Sequence, residues 1–212
     1  MNYTTAKRLM DIILSIVLFI VFLPVIILVA VAIKISSPGP VLADTPLRVG
    51  KDGSLFRLYK FRSMILNAHE LLTTKPRFHK LYEEYKRSSY KLRDDPRITP
   101  VGKFIRKHSL DELPQIFNVL QGEMSIVGPR PYYQDELKEQ QKKYPGTEKL
   151  VALVLSVRPG ITGLWQVSGR SQINFDKRIT IDAEYIRRKS LWLDLLILAK
   201  SPWAMIIGRG AV

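Results

Sequence analysis

Asp111 and Glu112 are adjacent carboxylates set among cations, with Lys103, Arg106 and Lys107 just before them and Arg130 after. An ionised carboxylate in such surroundings can attack phosphorus to form an aspartyl phosphate, or help hold Mg²⁺ against diphosphate oxygens. Its neighbour can serve as base or acid if the backbone turns both carboxylates to one place. Guanidinium groups suit phosphate because their forked N–H groups bind its oxygens in pairs. The same tetrapeptide also has a plainer use. Ser109-Leu110-Asp111-Glu112 fits a capping box, in which a Ser and a Glu three residues on satisfy the free donors at a helix start. Pro114 separates two versions of that cap. Counted from Ser109 it falls at the fifth helical position, where its ring and missing donor are costly; counted from Asp111 it falls in the first turn, where both are tolerated. The expected helix therefore runs from about Glu112 to Gln121 and stops at Gly122. Asp111 sits at its positive end, a place that keeps a carboxylate ionised and attracts phosphate.

Three other stretches offer ligand chemistry, each with a structural alternative. Tyr59-Lys60-Phe61-Arg62-Ser63 interleaves aromatics with the cations Lys60 and Arg62, suited to a phosphate or a base, or simply to an amphipathic strand. Val127-Gly128-Pro129-Arg130-Pro131 is a rigid turn presenting one arginine. Arg158-Pro159-Gly160-Ile161-Thr162-Gly163, followed by Gln166-Val167-Ser168-Gly169-Arg170, is a glycine-dense loop; such loops let backbone donors approach a ligand, although plain turns use the same residues. Neither a Walker pattern nor GxGxxG occurs, and His69, His79 and His108 are not at metal-ligand spacing. The chain has no cysteine, which excludes disulfides, thiolate catalysis and cysteine metal sites.

The elements that must position these groups are mostly helical, with little strand signal. Leu55 to Met64 alternates as a strand or extended segment, and Ile65 to Tyr90 reads as two charged helices broken by Thr73, Thr74 and Pro76. Further helices are expected over Val101 to Lys107, Tyr132 to Tyr144, Glu148 to Ser156 and Asn174 to Lys189, the last with acids early and bases late, as the helix dipole favours. At 212 residues, with no Gly/Ser-rich or Pro-rich divider, one soluble domain with membrane elements is expected. Lys and Arg number 33 against 19 Asp and Glu, giving +14, which points to an anionic partner: nucleic acid, anionic lipid or a phosphorylated substrate. No nucleic-acid-binding module is recognisable, so the membrane-anchored nucleic-acid binder stays the alternative reading, beside a membrane scaffold.

Ile12 to Ile33 carries no charge, and its 22 residues exceed the roughly 20 needed to span a bilayer. Pro24 near its middle kinks a helix, and positive charge flanks both ends, Lys7 and Arg8 before, Lys34, Arg48 and Lys51 after. A helix that enters the membrane, bends at Leu23-Pro24 and returns to the same face satisfies both features. An ordinary span is the alternative. Leu191 to Ile207 is apolar again, interrupted by Asp194, Lys200 and Pro202, with Trp192 and Trp203 near its ends. It reads as a helix lying on the membrane or as a core helix. The expected organisation is a re-entrant membrane helix over 1–36, a cytoplasmic catalytic domain over 37–190, and a membrane-interface helix with a C-terminal tail over 191–212.

With these stretches in this order, the sequence resembles the bacterial sugar transferase family, the small monotopic phosphoglycosyl transferases. The resemblance runs from Lys7-Arg8 and Asp11 through Tyr59 to Met64, Asp95-Pro96-Arg97-Ile98-Thr99, Val101-Gly102 and Ser109 to Gln115, then through Asn118-Val119-Leu120, Gly122, Met124-Ser125, Val127 to Pro131, Arg158 to Gly163 and Gln166 to Arg170. It implies a mostly α, monotopic protein with a re-entrant helix at the cytoplasmic face of the bacterial inner membrane. It also implies a Mg²⁺-dependent ping-pong reaction: Asp111 takes a phosphosugar from a UDP-sugar and releases UMP, and polyprenol phosphate, as undecaprenyl phosphate, then accepts it. Glu112 would assist proton transfer and Asp111 would lie against Mg²⁺. Arg106 matches a family arginine near the active-site phosphates, and Lys60, Arg62, Arg130, Arg158 and Arg170 are further candidate substrate contacts. Family members often have Ser where Leu23 stands, and larger members carry an added N-terminal membrane region, so the chain reads as a minimal member or a catalytic part. The insert around Leu66 to Tyr90 has no assigned role, and the sugar, the pathway and the oligomeric state, homo-oligomer included, stay open.

Overall fold

The computed structural model describes residues 2–87, 92, 94–168 and 174–206, with side chains as far as Trp203. The chain opens with α1 (Tyr3–Ser36), then β1 (Arg48–Val49), β2 (Leu55–Phe56), α2 (Ala68–Thr74), α3 (His79–Arg87), α4 (Pro100–Lys107) and α5 (Gln115–Gln121). It continues through β3 (Ser125–Val127), β4 (Tyr132–Tyr133), α6 (Gln134–Lys143), α7 (Glu148–Leu155), β5 (Gly160–Thr162), α8 (Leu164–Ser168), α9 (Phe175–Arg188) and α10 (Leu191–Ile206). The mostly helical expectation with little sheet agrees with this. The strands are only two or three residues long: β1 pairs antiparallel with β2 and β4 (Arg48 opposite Phe56 and Tyr133), and β3 pairs parallel with β5 (Ser125 opposite Gly160).

Short strands follow from how the chain is held elsewhere. The expected strand over Leu55 to Met64 is a ladder only at Leu55–Phe56; beyond it, Phe61 and Met64 make single bridges to Leu42 and Ile98. Asn118 replaces a ladder there. Its Oδ1 accepts the Tyr59 amide at 2.9 Å, and its Nδ2 donates to the Arg57 carbonyl at 2.8 Å and to Glu123 Oε2 at 2.7 Å. Likewise Tyr132 and Tyr133 pair as β4, so the helix expected from Tyr132 begins at Gln134. A Cβ on Gly160 or Gly163 would collide with the Gly128 backbone, so the two glycine loops pack chain against chain. Gly128, Gly160 and Gly163 permit that close approach, and Gly169 lies outside the described residues.

Two apolar clusters organise the chain. The larger gathers Tyr132, Phe175, Ile179, Val119, Met124 and their neighbours around α9 and β3. The smaller joins Val29 and Ile33 of α1 to Phe61 and Ile105, with Leu110 and Leu113 packed against it. Its position matters because Leu110 and Leu113 bracket the acidic pair.

Helix α1 has 34 residues, about 50 Å at 1.5 Å per residue, and contains Pro24. It is the one helix among the described residues long and apolar enough to cross a membrane, and only 11% of its most apolar window is buried. Both of its ends nevertheless touch the same body. Near the start, Lys7 Nζ meets Asp11 at 2.9 Å and Asp194 of α10 at 3.5 Å, and Asp11 Oδ1 accepts the Ile126 amide at 3.1 Å. Near the end, Val29 and Ile33 enter the smaller cluster, and Arg62 donates to the carbonyls of Ser37 and Pro38. Leu9, Ile13, Ile20, Val21, Ile27, Leu28 and Ile35 are left exposed between. Helix α10 likewise exposes Trp192, Leu195, Leu196 and Trp203 while burying Asp194 and Ile197, so it is not an enclosed core helix.

Candidate active site

The acidic pair sits where α4 hands over to α5. Thr99 caps α4 by accepting the Gly102 amide at 2.9 Å, Pro100 occupies the first turn, and the helix ends at Lys107. Ser109 then takes φ +54°, a left-handed conformation, which reverses the chain into a 3₁₀ turn over Leu110–Glu112. Its side chain makes no cap bond, so the capping box is not formed. Asp111 is not the helix cap either. Pro114 precedes α5, which begins at Gln115 and, as expected, ends at Gly122 in the left-handed conformation. Asp111 and Glu112 therefore lie one turn before the helix instead of at its first position. The cause is tertiary: the Asp111 carbonyl accepts the Phe61 amide at 2.9 Å while Leu110 and Leu113 pack into the smaller cluster.

That backbone bond sets Lys60 beside the carboxylates. Its Nζ lies 2.8 Å from Glu112 Oε1 and 3.4 Å from Asp111 Oδ2. Burial alone pulls an ammonium pKa down, but Glu112 and Asp111 outweigh it and hold Lys60 above its ordinary value. Asp111 is buried, and desolvation raises its pKa; Lys60 and Arg106 pull it down, Glu112 pushes it up, and the net direction is upward. The expectation of a carboxylate held low by a helix terminus is thus corrected. Removal from water and a like-charged neighbour prevail over a helix end one turn away.

The structure divides the candidate cations. Arg106 acts electrostatically on Asp111, and Arg130 is raised on balance because Glu136, the neighbouring tyrosines and Glu112 outweigh the effect of its burial. Lys60 thus touches both carboxylates, while Arg106 acts through charge on Asp111 and Arg130 feels the charge of Glu112. Arg62 is turned to the α1 exit, bonded to Ser37 and Pro38. Arg158 binds the Gly122 carbonyl at the far end of α5, and Arg170 lies outside the described residues. Three buried groups went unrecognised in the sequence. Arg48 stacks 3.3 Å over the Tyr133 ring and donates to the Pro131 carbonyl at 3.2 Å, steadying the turn that carries Arg130. Arg178 pairs with fully buried Glu136 at 3.2 Å. Asp182 Oδ2 accepts from the Arg130 amide and the Tyr132 hydroxyl, both at 3.4 Å, and burial drives its pKa up to about 7 against the opposing effect of those bonds and of Arg178. One signal for Asp182 was available: it shares the apolar stripe of α9 with Ile179, Ala183 and Ile186.

A metal ion could be held here only with help. Among the described residues no three His, Cys, Asp or Glu side chains gather as a cluster. Mg²⁺ needs one or two carboxylates when diphosphate oxygens and water complete its shell, so the donor set fits a metal that arrives with a diphosphate.

Comparison with known proteins identifies the family. The profile of the family described as bacterial sugar transferase matches residues 2–208. An uncharacterised sugar transferase of Haemophilus influenzae is 44% identical over 209 residues, covering 97% of this chain and 42% of that protein. The undecaprenyl-phosphate galactose phosphotransferase of Salmonella typhimurium is 42% identical over 97% of this chain and 41% of its own length. The exopolysaccharide production protein ExoY of Rhizobium meliloti is 39% identical over 97% of this chain and 88% of its own. The chain thus spans less than half of the first two relatives and most of the third. On this match, which runs through every element of the site, the chain belongs to the bacterial sugar transferase family.

Proposed function

We propose that the chain is a monotopic phosphoglycosyl transferase that moves a sugar 1-phosphate from a UDP-sugar to polyprenol phosphate, undecaprenyl phosphate in a bacterial inner membrane, as the first membrane step of a polysaccharide or glycoconjugate. The observation that carries it is the buried Asp111 beside Glu112, both in contact with Lys60, on a turn packed against the apolar helix α1, with Arg106 acting on Asp111 through its charge. The relatives named for undecaprenyl-phosphate sugar transfer support the same reading.

In the first step an Asp111 carboxylate oxygen attacks the sugar-linked phosphorus of the donor. The bond from that phosphorus to the bridging oxygen breaks, and UMP leaves with the electron pair. In the second step an oxygen of polyprenol phosphate attacks the aspartyl phosphorus, forming the lipid diphosphosugar and restoring the carboxylate. Glu112 takes up the acceptor's proton where that phosphate arrives protonated. Lys60, Arg106 and Arg130 offset charge on the phosphate oxygens. Asp111, with Glu112 beside it, would hold Mg²⁺, which supplies further charge neutralisation to the diphosphate.

The membrane seating rests on α1 and α10. A spanning helix would carry one of its ends away from a cytoplasmic domain, whereas both ends of α1 bond to one body while its apolar face stays bare. That supports a re-entrant helix bent near Leu23 and Pro24, with the exposed tryptophans of α10 at the cytoplasmic headgroup layer. The deciding experiment measures UMP release from a panel of UDP-sugars with Mg²⁺ and polyprenol phosphate. Asp111→Asn should abolish release and the covalent phosphosugar adduct; retention of most activity would remove Asp111 as nucleophile.

A further inference from the structure

Arg8 and Arg158 are far apart in the sequence and meet at Gly122. Arg8 donates to the carbonyls of Val119 and Leu120, and Arg158 Nε to that of Gly122, so both cap the carboxyl end of α5. Capping accounts for only part of their capacity. Each guanidinium has five N–H donors, and these bonds use two on Arg8 and one on Arg158. Neither pairs with a carboxylate among the described residues. Their Nη2 atoms lie 3.5 and 4.0 Å from where a Gly122 Cβ would stand, so two like charges are neighbours.

The two arginines open onto a cleft of about 410 Å³ shared with Thr4, Thr5, Leu9 and Ile12. Its composition is graded: hydroxyls and guanidinium groups at one end, then Leu9 and Ile12, which continue into the bare face of Ile13, Ile16 and Val17. A soluble anion would need only the polar end. An anion joined to hydrocarbon needs both, in this order, at the depth where α1 passes from charged to apolar.

We infer that this cleft binds the phosphodiester headgroup of an anionic bilayer phospholipid, with Arg8 and Arg158 on the phosphate and the acyl chains along Leu9, Ile12 and Ile13. The site is distinct from the acidic pair, since the whole of α5, 7 residues and roughly 10 Å at 1.5 Å per residue, stands between Asp111 and Gly122. Two paired guanidinium groups favour a net-anionic phosphodiester over a zwitterionic one. The inference rests on the membrane seating proposed above.

The test uses the full chain in phosphatidylcholine vesicles with and without a phosphatidylglycerol carrying a photoreactive acyl chain. Flotation reports membrane seating, and peptide mapping reports where the label lands. The expected result is flotation in both vesicle types, with label concentrated on residues 4–13, competed by unlabelled phosphatidylglycerol but not by inorganic phosphate or UMP. Arg8→Gln with Arg158→Gln should lose that label while label elsewhere on α1 persists. Because those changes also remove caps, Ile12→Trp, which fills the cleft and leaves the caps, should lose it too. Label spread evenly along α1, label unchanged in both variants, or full competition by inorganic phosphate would overturn the lipid site. Failure to float would overturn the membrane seating itself.

Discussion

The amide of Phe61 donates to the carbonyl of Asp111 at 2.9 Å. Through that single bond the segment carrying Lys60 and the turn carrying the acidic pair are held in one register, and Asn118 fixes the same segment two residues earlier at Tyr59. That register sets the Lys60 side chain beside both carboxylates. Lys60→Met should therefore keep the fold while lowering turnover by roughly 10²-fold, the scale for losing one preorganised charged donor. Steady-state UMP release with a thermal melt on the same sample checks both halves.

The raised pKa of Asp111 sets an acid limit on the reaction. On the proposed mechanism attack needs the ionised form, so activity should fall on acidification at a pH above the ordinary aspartate value of about 3.9. Lys60 lowers the Asp111 pKa, so its removal should move that acid limb to still higher pH. A pH profile of kcat/KM for both proteins reads the shift; coincident limbs would detach the limb from Asp111.

Asp182 makes a stability prediction of opposite chemistry. Its folded pKa of about 7 lies above the unfolded value of about 3.9, so the folded state holds the proton more tightly. Its protonated form is tolerated below pH 4, and stability is lost as pH rises from about 4 to 7, up to ~4 kcal/mol by linkage. Asp182→Asn should match the wild type at about pH 4 and below and melt higher at pH 8. A variant that melts lower at pH 8 would mean the carboxylate stabilises Arg130 more than its burial costs.

Single cysteines at positions 3 and 45, introduced into this cysteine-free chain, should react with a membrane-impermeant maleimide from the same side of sealed vesicles. Reaction from opposite sides would replace the re-entrant helix with an ordinary span.

Helices whose boundaries are set by local chemistry were legible in the sequence. Thr99-Pro100 starts α4, Gly122 stops α5, and the acid-to-base gradient of α9 marks both its ends within a residue. The location of Asp111 was legible, but its state was not, because burial and the approach of Lys60 come from residues 50 positions away. Arg62 and Arg158 read as contacts to the donor or acceptor at the acidic pair for the same reason. An arginine beside the pair and one that caps backbone carbonyls elsewhere look alike in sequence, and only the fold shows that these two hold the α1 exit and the end of α5. The glycine loops were ambiguous in kind: Gly160 and Gly163 admit a neighbouring backbone as readily as a ligand.

The small apolar cluster of Val29, Ile33, Phe61 and Ile105 makes the anchor part of the catalytic scaffold. Until α1 has docked, the cluster behind Leu110 and Leu113 lacks its Val29 and Ile33 side, and the turn they bracket is held by Phe61 and Ile105 alone. On the function proposed above, insertion of α1 and the shaping of that turn would then be one event in the life of the nascent chain, and a copy that missed the bilayer would lack a formed site.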